Sequence, residues 1–371
     1  MYRAGIAVLG TKSVPGEYRA GDRRIGSGAS VRKASGAPRN RLDSGYTSRC
    51  SKPVPAVLRS KILLSPLTPP ATDSRVIAAV ATGSLVAIVT PMSADGTVDF
   101  SAWKGLIDWH IESGTRAVVV GGTTGESPTL SESELRELTE RACEAASGRI
   151  AIIAGAGSSS TAVTVARVQW LSGLPIDALL VVTPAYNRPT QEGLYRHFAA
   201  IAEAADKPLI LYNVPARTAV DMLPETTGRL AQLPGVVAIK EAVPGAERVR
   251  RLLASSPAGF VVLSGDDATA QEAILAGARG VVSVTANVAP GAMAEMVAAA
   301  LAGDGPRAAE LDASLQRLHR ALFLEANPIP VKWALAELGR IGRGIRLPLT
   351  ELSEAYRPQV RAALQEAGLM A

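Results

Sequence analysis

A regular alternation of short apolar runs with longer stretches of helical period extends from about residue 80 towards the C-terminus. The runs are rich in Val and Ile and apolar at nearly every position, which is typical of parallel strands buried on both faces. The eight predicted strands are Leu85–Thr90, Ala117–Gly121, Ile150–Ala154, Ala178–Thr183, Leu209–Asn213, Val236–Lys240, Phe260–Ser264 and Gly280–Val284. Eight strand–helix units in about 220 residues predict an α/β protein with a (β/α)₈ TIM barrel.

A doubly wound open sheet is the alternative architecture. It commonly has fewer strands and a glycine-rich phosphate-binding turn after the first one, whereas the first strand here ends in Thr-Pro-Met at residues 90–92, so we favour the barrel. A capping box at residues 131–134 predicts a helix over Glu134–Ala146 between two strands. After the eighth strand, Glu310–Leu324 and Ile329–Leu338 predict a helical appendage.

Residues 1–75 differ in composition from everything that follows. They hold 14 Lys and Arg against 4 Asp and Glu, are rich in Ser, Gly and Pro, and lack sustained apolar periodicity. Such a segment buries too little apolar surface to offset its conformational entropy, which predicts disorder. An organelle transit peptide, a nucleic-acid-binding arm and an upstream translation artefact are the competing interpretations. We favour a mis-assigned start or a dispensable tail.

We therefore predict three parts: a disordered basic extension over 1–78, a catalytic barrel over 79–303 and a helical C-terminal segment over 304–371. The net charge of +5 falls to −5 when residues 1–75 are set aside, so the predicted fold is mildly acidic and nucleic acid is not an expected partner. No apolar run approaches the roughly eighteen residues that a membrane span requires. A membrane partner is not expected either.

Metal and disulfide chemistry are not indicated by the sequence. Cys50 and Cys143 form no spaced pair, as is typical of a protein in a reducing cytosol. His110, His197 and His319 belong to no metal-binding motif and are predicted to be packing or helix-surface residues. We expect no metal, no other cofactor and a cytoplasmic location.

Polar and ionisable residues cluster at the carboxyl ends of the predicted strands, where the active sites of barrels lie. The segments that follow strands two, four, five, six and seven are GTTGES at 122–127, TPAYN at 183–187, YNVPART at 212–218, KEA at 240–242 and SGDD at 264–267. Their common position predicts one active site at this end of the barrel.

Lys240 follows the apolar run 236–239 and is expected to project from the barrel interior, where an ammonium group is poorly solvated. Desolvation lowers the pKa of a lysine, and the neutral amine is the nucleophile that condenses with a ketone. The protonated imine then acts as an electron sink, so the adjacent carbon can lose a proton and become a nucleophile. A structural ion pair between Lys240 and Glu241 is the alternative interpretation.

Imine chemistry needs proton transfer, because water leaves the carbinolamine and later re-enters. Tyr212, Tyr186 and Thr124 are hydroxyls at neighbouring strand ends and could form a relay. The turn at 122–125 can present backbone N–H groups to a carboxylate. Arg217 offers a bidentate fork for a second carboxylate. Taken singly, each of these residues has an ordinary packing or surface explanation.

Seven segments together closely resemble the 4-hydroxy-tetrahydrodipicolinate synthase family, formerly called dihydrodipicolinate synthase. The likeness runs from about Gly83 to the C-terminus in the family's order and spacing. GTTGE alone is shared with sister aldolases, but the set as a whole is specific. The segments are GTTGES (122–127), VTPAYNRP (182–189), LYNVPART (211–218), IKEA (239–242), SGDD (264–267), SVTANV (283–288) and NPIPVKW (327–333).

The resemblance implies a lyase in which pyruvate forms an imine with Lys240 and the derived enamine attacks L-aspartate 4-semialdehyde. The product is 4-hydroxy-tetrahydrodipicolinate, an intermediate of diaminopimelate and lysine biosynthesis. By the same likeness, Tyr212 is the principal acid/base, and Thr124 and Tyr186 complete the relay, with Tyr186 reaching into the site of a neighbouring subunit. The family is usually a homotetramer built as a dimer of tight dimers.

The predicted substrate-binding residues also follow from the resemblance. Thr123 and Thr124 match the loop that binds the carboxylate of pyruvate, and Val282 matches a backbone contact near pyruvate. Arg217 matches the residue that holds the carboxylate of the semialdehyde at the mouth of the site. Gly265, in the turn after strand seven, completes the predicted set.

Two other functions compete with this one. Another Schiff-base pyruvate aldolase or dehydratase, such as an N-acetylneuraminate lyase-like enzyme or a sugar-acid aldolase, would keep the lysine. Those relatives generally lack the NVPxRT run that contains Arg217, so its presence favours the synthase. A catalytically silent paralogue or a binding protein that uses the basic tail is the third hypothesis.

The chain departs from the family around its allosteric lysine pocket. Ala185 stands where many members have a tyrosine that also lies at the subunit interface. Glu132, Leu135, Ser159 and Val163 stand where lysine-sensitive members carry His, His, Asn and Glu. We therefore expect weak or absent feedback inhibition by lysine.

Overall fold

A computed structural model describes residues 80–370 of the chain, and the predicted extension over 1–78 lies outside the described residues. Eight parallel strands close into a barrel in which each strand pairs with the next and the last pairs with the first. The strands are β1 (Gly83–Ala87), β2 (Ala117–Val120), β3 (Ala151–Gly155), β4 (Ala178–Val182), β5 (Leu209–Asn213), β6 (Val236–Glu241), β7 (Val261–Ser264) and β8 (Gly280–Ser283). The predicted (β/α)₈ barrel is confirmed.

Helices connect the strands, and three further helices follow the one that comes after β8. The α-helices within the described residues are α1 (Phe100–Glu112), α2 (Glu132–Ala146), α3 (Thr161–Ser172), α4 (Gln191–Ala204), α5 (Pro215–Thr218), α6 (Pro224–Leu230), α7 (Ala246–Ser255), α8 (Ala270–Leu275), α9 (Pro290–Leu301), α10 (Gly305–Ala321), α11 (Ile329–Glu337) and α12 (Arg357–Glu366). The predicted C-terminal helical appendage is thus confirmed. None of these helices is long and apolar enough to cross a membrane. The proposed boundary at residues 303/304 falls between α9 and α10 and stays a prediction.

The first strand ends three residues earlier than the apolar run Leu85–Thr90 predicts. Val89 donates its backbone N–H to Oδ1 of Asn287 at 2.9 Å instead of continuing the ladder. The capping box, in contrast, is present as predicted: the Ser131 hydroxyl accepts from the backbone N–H of Glu134, whose side chain accepts from the backbone N–H of Ser131. The helix itself begins at Glu132, two residues before the predicted Glu134, because Ser131 is its N-cap. Val89 instead binds a residue 198 positions away.

The apolar core has two layers separated by the barrel wall. Inward side chains such as Leu85, Val119 and Ile210 fill the barrel interior, and outward side chains such as Val118 and Leu179 pack beneath the helices. Burying each large aliphatic side chain contributes about 1.5–3 kcal/mol relative to leaving it exposed. The interior turns polar only near the carboxyl ends of the strands, where Lys240 is 5% exposed.

All three histidines are buried in this packing, as predicted, and each binds a threonine hydroxyl through Nδ1. The pairs are His110–Thr115 at 2.9 Å, His197–Thr161 at 2.9 Å and His319–Thr285 at 2.8 Å. Burial lowers the pKa of His110 to about 3 and that of His197 to about 4. Within residues 80–370 no group of three His, Cys, Asp or Glu side chains could hold a metal ion.

The C-terminal segment is joined to the β2–α2 loop by buried charges. Lys332 of α11 forms an ion pair with Glu126, and the two side chains are 4% and 0% exposed. The backbone N–H of Arg346 donates to the second carboxylate oxygen of Glu126 at 3.1 Å. The Arg346 guanidinium also pairs with Glu134 and lowers the pKa of that carboxyl to about 2. The appendage is therefore fixed to the loop that carries the GTTGES segment.

Lys332→Met is expected to lower the free energy of unfolding by about 3–5 kcal/mol, because Glu126 would stay buried without its cation. Adding Glu126→Gln is expected to recover part of the loss by removing the unpaired charge. Urea unfolding followed by circular dichroism measures both changes.

Lys104→Met is the matched control, because Lys104 pairs with Asp108 and its side chain is 69% exposed. Its expected loss is below about 1 kcal/mol. A Lys332→Met variant as stable as this control would contradict a stabilising role for the buried pair.

Candidate active site

A cavity of about 40 Å³ lies at the carboxyl end of the barrel. Its wall is apolar on the side of Ala87, Val119 and Leu180, and Lys240 and Tyr212 line it from β6 and β5. Three of the five segments predicted to carry the site, 122–127, 212–218 and 240–242, contribute residues to the cavity wall, whereas 183–187 and 264–267 do not.

Lys240 and Tyr212 lie side by side because β5 and β6 pair in parallel with these two residues in register. The Lys240 Nζ atom lies 4.3 Å from the centroid of the Tyr212 ring. Lys240 is 5% exposed and Tyr212 is 7% exposed. A primary amine that contacts a tyrosine, with both side chains buried at the wall of a cavity, is suited to forming an imine with a small ketone.

Glu241 does not pair with Lys240, contrary to the alternative interpretation of the sequence. Its side chain lies on the other face of the barrel wall, where Arg248 Nε donates to Oε2 at 2.9 Å. Burial raises the pKa of Glu241, and the Arg248 cation opposes that shift.

Gly265, which directly follows β7, lies close to the lysine, and Val282 lies on β8. A Cβ atom on Gly265 would lie 3.1 Å from Cε of Lys240 and 3.2 Å from the carbonyl oxygen of Glu241. Glycine here therefore gives the lysine side chain its room. Val282 is 2% exposed and belongs to the interior cluster that contains Tyr212.

The two threonines of the β2–α2 loop occupy different positions. Thr123 lines the cavity. Thr124 is 2% exposed and its hydroxyl accepts a hydrogen bond from Nδ2 of Asn327 at 2.9 Å. The turn closes through a bond from the Gly125 N–H to the Gly122 carbonyl at 3.0 Å. The turn at 122–125 is thus formed, with Thr123 towards the cavity, and its binding of a carboxylate stays a prediction.

Arg217 lies on α5, the short helix after β5, and its side chain reaches the C-terminal segment. Its Nη2 atom donates to the backbone carbonyl of Asn327 at 3.1 Å. Asn327 thereby contacts both Thr124 and Arg217. Sequence reasoning gave Asn327 no role, although it begins the NPIPVKW segment, because no spacing rule relates residues 203 positions apart.

Tyr186 is separate from the cavity of its own chain. It is 95% exposed and has a left-handed backbone with φ of 73°. The loop is held by hydrogen bonds between Ser159 and Ala185 at 2.8 Å and between Asn187 and Ser159 at 2.9 Å. One chain therefore brings together Lys240 and Tyr212 but not Tyr186.

The comparison with known proteins points to one family. The chain matches the Dihydrodipicolinate synthetase family over residues 80–367. The 4-hydroxy-tetrahydrodipicolinate synthase of Methylococcus capsulatus is 54% identical over 288 residues, which cover 78% of this chain and 99% of that relative.

Solved structures give the same result. The dihydrodipicolinate synthase of Acinetobacter baumannii complexed with pyruvate has a TM-score of 0.77 at 50% identity, covering 78% of this chain and 100% of that one. A structure described as the first monomeric dihydrodipicolinate synthase variant has a TM-score of 0.76 at 43% identity, covering 78% of this chain and 98% of that one. On the strength of the family match and these identities, the chain belongs to the dihydrodipicolinate synthetase family.

Proposed function

We propose that this chain is a 4-hydroxy-tetrahydrodipicolinate synthase, a lyase that condenses pyruvate with L-aspartate 4-semialdehyde in diaminopimelate and lysine biosynthesis. The contact between Lys240 and Tyr212 inside the cavity carries the proposal. The solved Acinetobacter baumannii relative, which contains pyruvate, supports the first substrate.

The reaction begins when the Lys240 amine attacks the ketone carbon of pyruvate. Tyr212 protonates the departing hydroxyl, so that water leaves and a protonated imine remains. The Tyr212 phenolate left by that transfer takes a proton from the methyl group, and the imine takes up the electron pair as an enamine. The backbone N–H groups and hydroxyls of the loop that contains Thr123 and Thr124 hold the pyruvate carboxylate, and Val282 and Gly265 border the imine.

The enamine carbon attacks the aldehyde carbon of the semialdehyde, and the new alkoxide takes a proton from the relay. The amino group of the bound semialdehyde then displaces Lys240 from the imine carbon, which closes the ring and frees the lysine. Arg217 binds the semialdehyde carboxylate at the mouth of the site through two N–H groups. The chemistry requires no redox step.

Lys240→Ala is expected to lower turnover by at least about 10³-fold, because the covalent route is lost. It is also expected to abolish the covalent adduct that borohydride traps with pyruvate, as measured by intact-protein mass spectrometry. Lys104→Ala, at the exposed Lys104, is the control that keeps both. An adduct mapped to another lysine would contradict the assignment of the nucleophile.

Arg217→Met is expected to raise the KM for the semialdehyde by about 10–100-fold, as for the loss of charge-assisted hydrogen bonds worth about 1.5–3 kcal/mol. Pyruvate trapping on Lys240 should stay unchanged, because Arg217 acts on the second substrate. Arg196→Met is the control, since Arg196 forms a surface pair with Glu192 and its side chain is 79% exposed.

Steady-state kinetics with both substrates measure this effect. An unchanged KM, together with turnover of a different aldehyde by the wild-type chain, would favour the alternative function as another pyruvate aldolase or dehydratase of the superfamily.

We further propose that the protein works in the cytoplasm as a homotetramer, a dimer of tight dimers. Tyr186 supports the assembly, because an aromatic side chain that is 95% exposed on a left-handed backbone is suited to entering a neighbouring site. Tyr186 would then complete the relay of a second copy. One relative is described as a monomeric variant. The oligomeric state therefore has to be measured for this chain.

L-lysine at submillimolar concentration is expected to leave the initial rate unchanged. Glu132 is engaged by Arg167, Leu135 is apolar and 4% exposed, and Val163 offers no charge. The ammonium and carboxylate groups of lysine would therefore lose most of their partners at these positions. Rates with L-lysine would be compared with rates in potassium chloride of equal ionic strength. Saturable inhibition by lysine alone would contradict the hypothesis.

A further inference from the structure

Four side chains form a hydrogen-bonded ionic cluster on the outer face of the barrel wall, directly behind the reacting pair. The four side chains are Asn213, Asp221, Glu241 and Arg248. We name this group the outer cluster. Asn213 follows Tyr212 along β5, and Glu241 follows Lys240 along β6. The outer pair Asn213–Glu241 is therefore in register one step beyond the pair Tyr212–Lys240.

Glu241 is the centre of the outer cluster. Its side chain is 1% exposed and accepts hydrogen bonds from three different groups. Asn213 Nδ2 donates to its two oxygens at 3.0 and 3.2 Å, the Val243 N–H at 2.8 Å and Arg248 Nε at 2.9 Å. A buried carboxylate with this many donors is confined to one position.

Arg248 connects the remaining parts. Its side chain is 9% exposed, and each of its three nitrogens is bonded. Besides Glu241, it donates to Asp221 at 2.7 and 3.3 Å and to the carbonyl of Met222 at 2.8 Å. The Met222 N–H closes the ring by donating to Oδ1 of Asn213 at 3.0 Å. Arg248 of α7 thus binds the end of β6 directly through Glu241 and the end of β5 through Met222 and Asn213.

The outer cluster differs from the rest of the barrel wall. At outward positions of β1 to β4 the wall is apolar, with residues such as Val86, Val118, Ile152 and Leu179. Removing the Glu241 carboxylate and the Arg248 guanidinium from water is costly, and apolar packing of similar volume is often as stable or more so. A buried ionic network where β1 to β4 have apolar packing therefore indicates a role in geometry.

We propose that Arg248 is a positioning residue for imine formation. By holding Glu241 and Asn213, it fixes the backbone segments from which Lys240 and Tyr212 project, and so sets the 4.3 Å contact between the amine and the ring. Arg248 touches neither substrate nor the reacting atoms, because it lies behind the wall. The inference rests on the proposed function, since it concerns the rate at which pyruvate is bound covalently.

The test is the rate of borohydride-trapped adduct formation in the full chain, with pyruvate alone and no second substrate. In Arg248→Met the limiting rate at saturating pyruvate is expected to fall about 10–100-fold, the effect of a small misplacement of reacting groups. The pyruvate concentration at half-maximal rate is expected to change by less than about 2-fold, because the carboxylate-binding turn lies after β2. Arg248→Lys, which restores the charge and some donors, is expected to recover part of the limiting rate.

Arg251→Met is the matched control on the same helix, because Arg251 pairs with Glu225 at the surface and its side chain is 54% exposed. It should behave as wild type. Asp221→Asn is the milder variant if Arg248→Met fails to fold. Asp221 is 37% exposed, and its replacement leaves the Arg248–Glu241 pair in place, so the limiting rate should fall less but measurably.

An unchanged limiting rate in folded Arg248→Met or Asp221→Asn, with only a lower melting temperature, would show a purely structural role and overturn the inference. A changed half-saturating concentration at an unchanged limiting rate would overturn it as well. Absence of any pyruvate adduct in the wild-type chain is a different result, which would overturn the proposed function itself.

Discussion

The register between β5 and β6 is the constraint on which the site depends. Leu209 pairs with Val236, but the next pair is Ile210 with Ala238, so β6 carries one extra residue at this point. In the structure Ile239 packs in the outer core layer and Lys240 faces inward. Without the extra residue, Tyr212 would lie opposite Ile239, and Lys240 would take the outward position. A one-residue slip turns side chains to the other face of a sheet. The irregularity therefore brings Lys240 to the inner face beside Tyr212.

The same register determines what lies behind the wall. Because residues alternate between faces, a strand that presents an amine to the cavity presents its next residue to the helix layer. Here that residue is Glu241, a carboxylate whose pKa burial raises and whose charge Arg248 compensates. The backbone of β6 thus connects the Lys240 amine on the inner face with the Glu241–Arg248 ion pair on the outer face. In most of the wall the outer face is apolar and has no such constraint.

The sequence predicted the barrel because its strands are apolar on both faces, and every predicted strand has an observed counterpart. The extra residue in β6 could not be predicted, since residues 236–239 are all apolar and give no sign of which face each one takes. The positions of Lys240 and Tyr212 followed from the rule that barrel sites lie at strand ends. Tyr186 could be assigned only from the resemblance, because within one chain it lies outside the cavity. Asn327 and Lys332 were missed, because only the folded chain brings them to a loop about 200 residues earlier.

Those missed residues explain how the carboxylate-binding turn keeps its shape. The turn closes through its own bond from the Gly125 N–H to the Gly122 carbonyl, and the C-terminal segment adds contacts from outside. Asn327 holds Thr124, and Lys332 holds Glu126, whose left-handed φ of 59° is unfavourable by about 1 kcal/mol or more for a residue with a side chain. The helical appendage consequently supports the loop that is proposed to bind pyruvate. Its contacts hold the β2–α2 loop, while Arg248 holds the strand ends that carry Lys240 and Tyr212, so the two supports act on different parts of the proposed site.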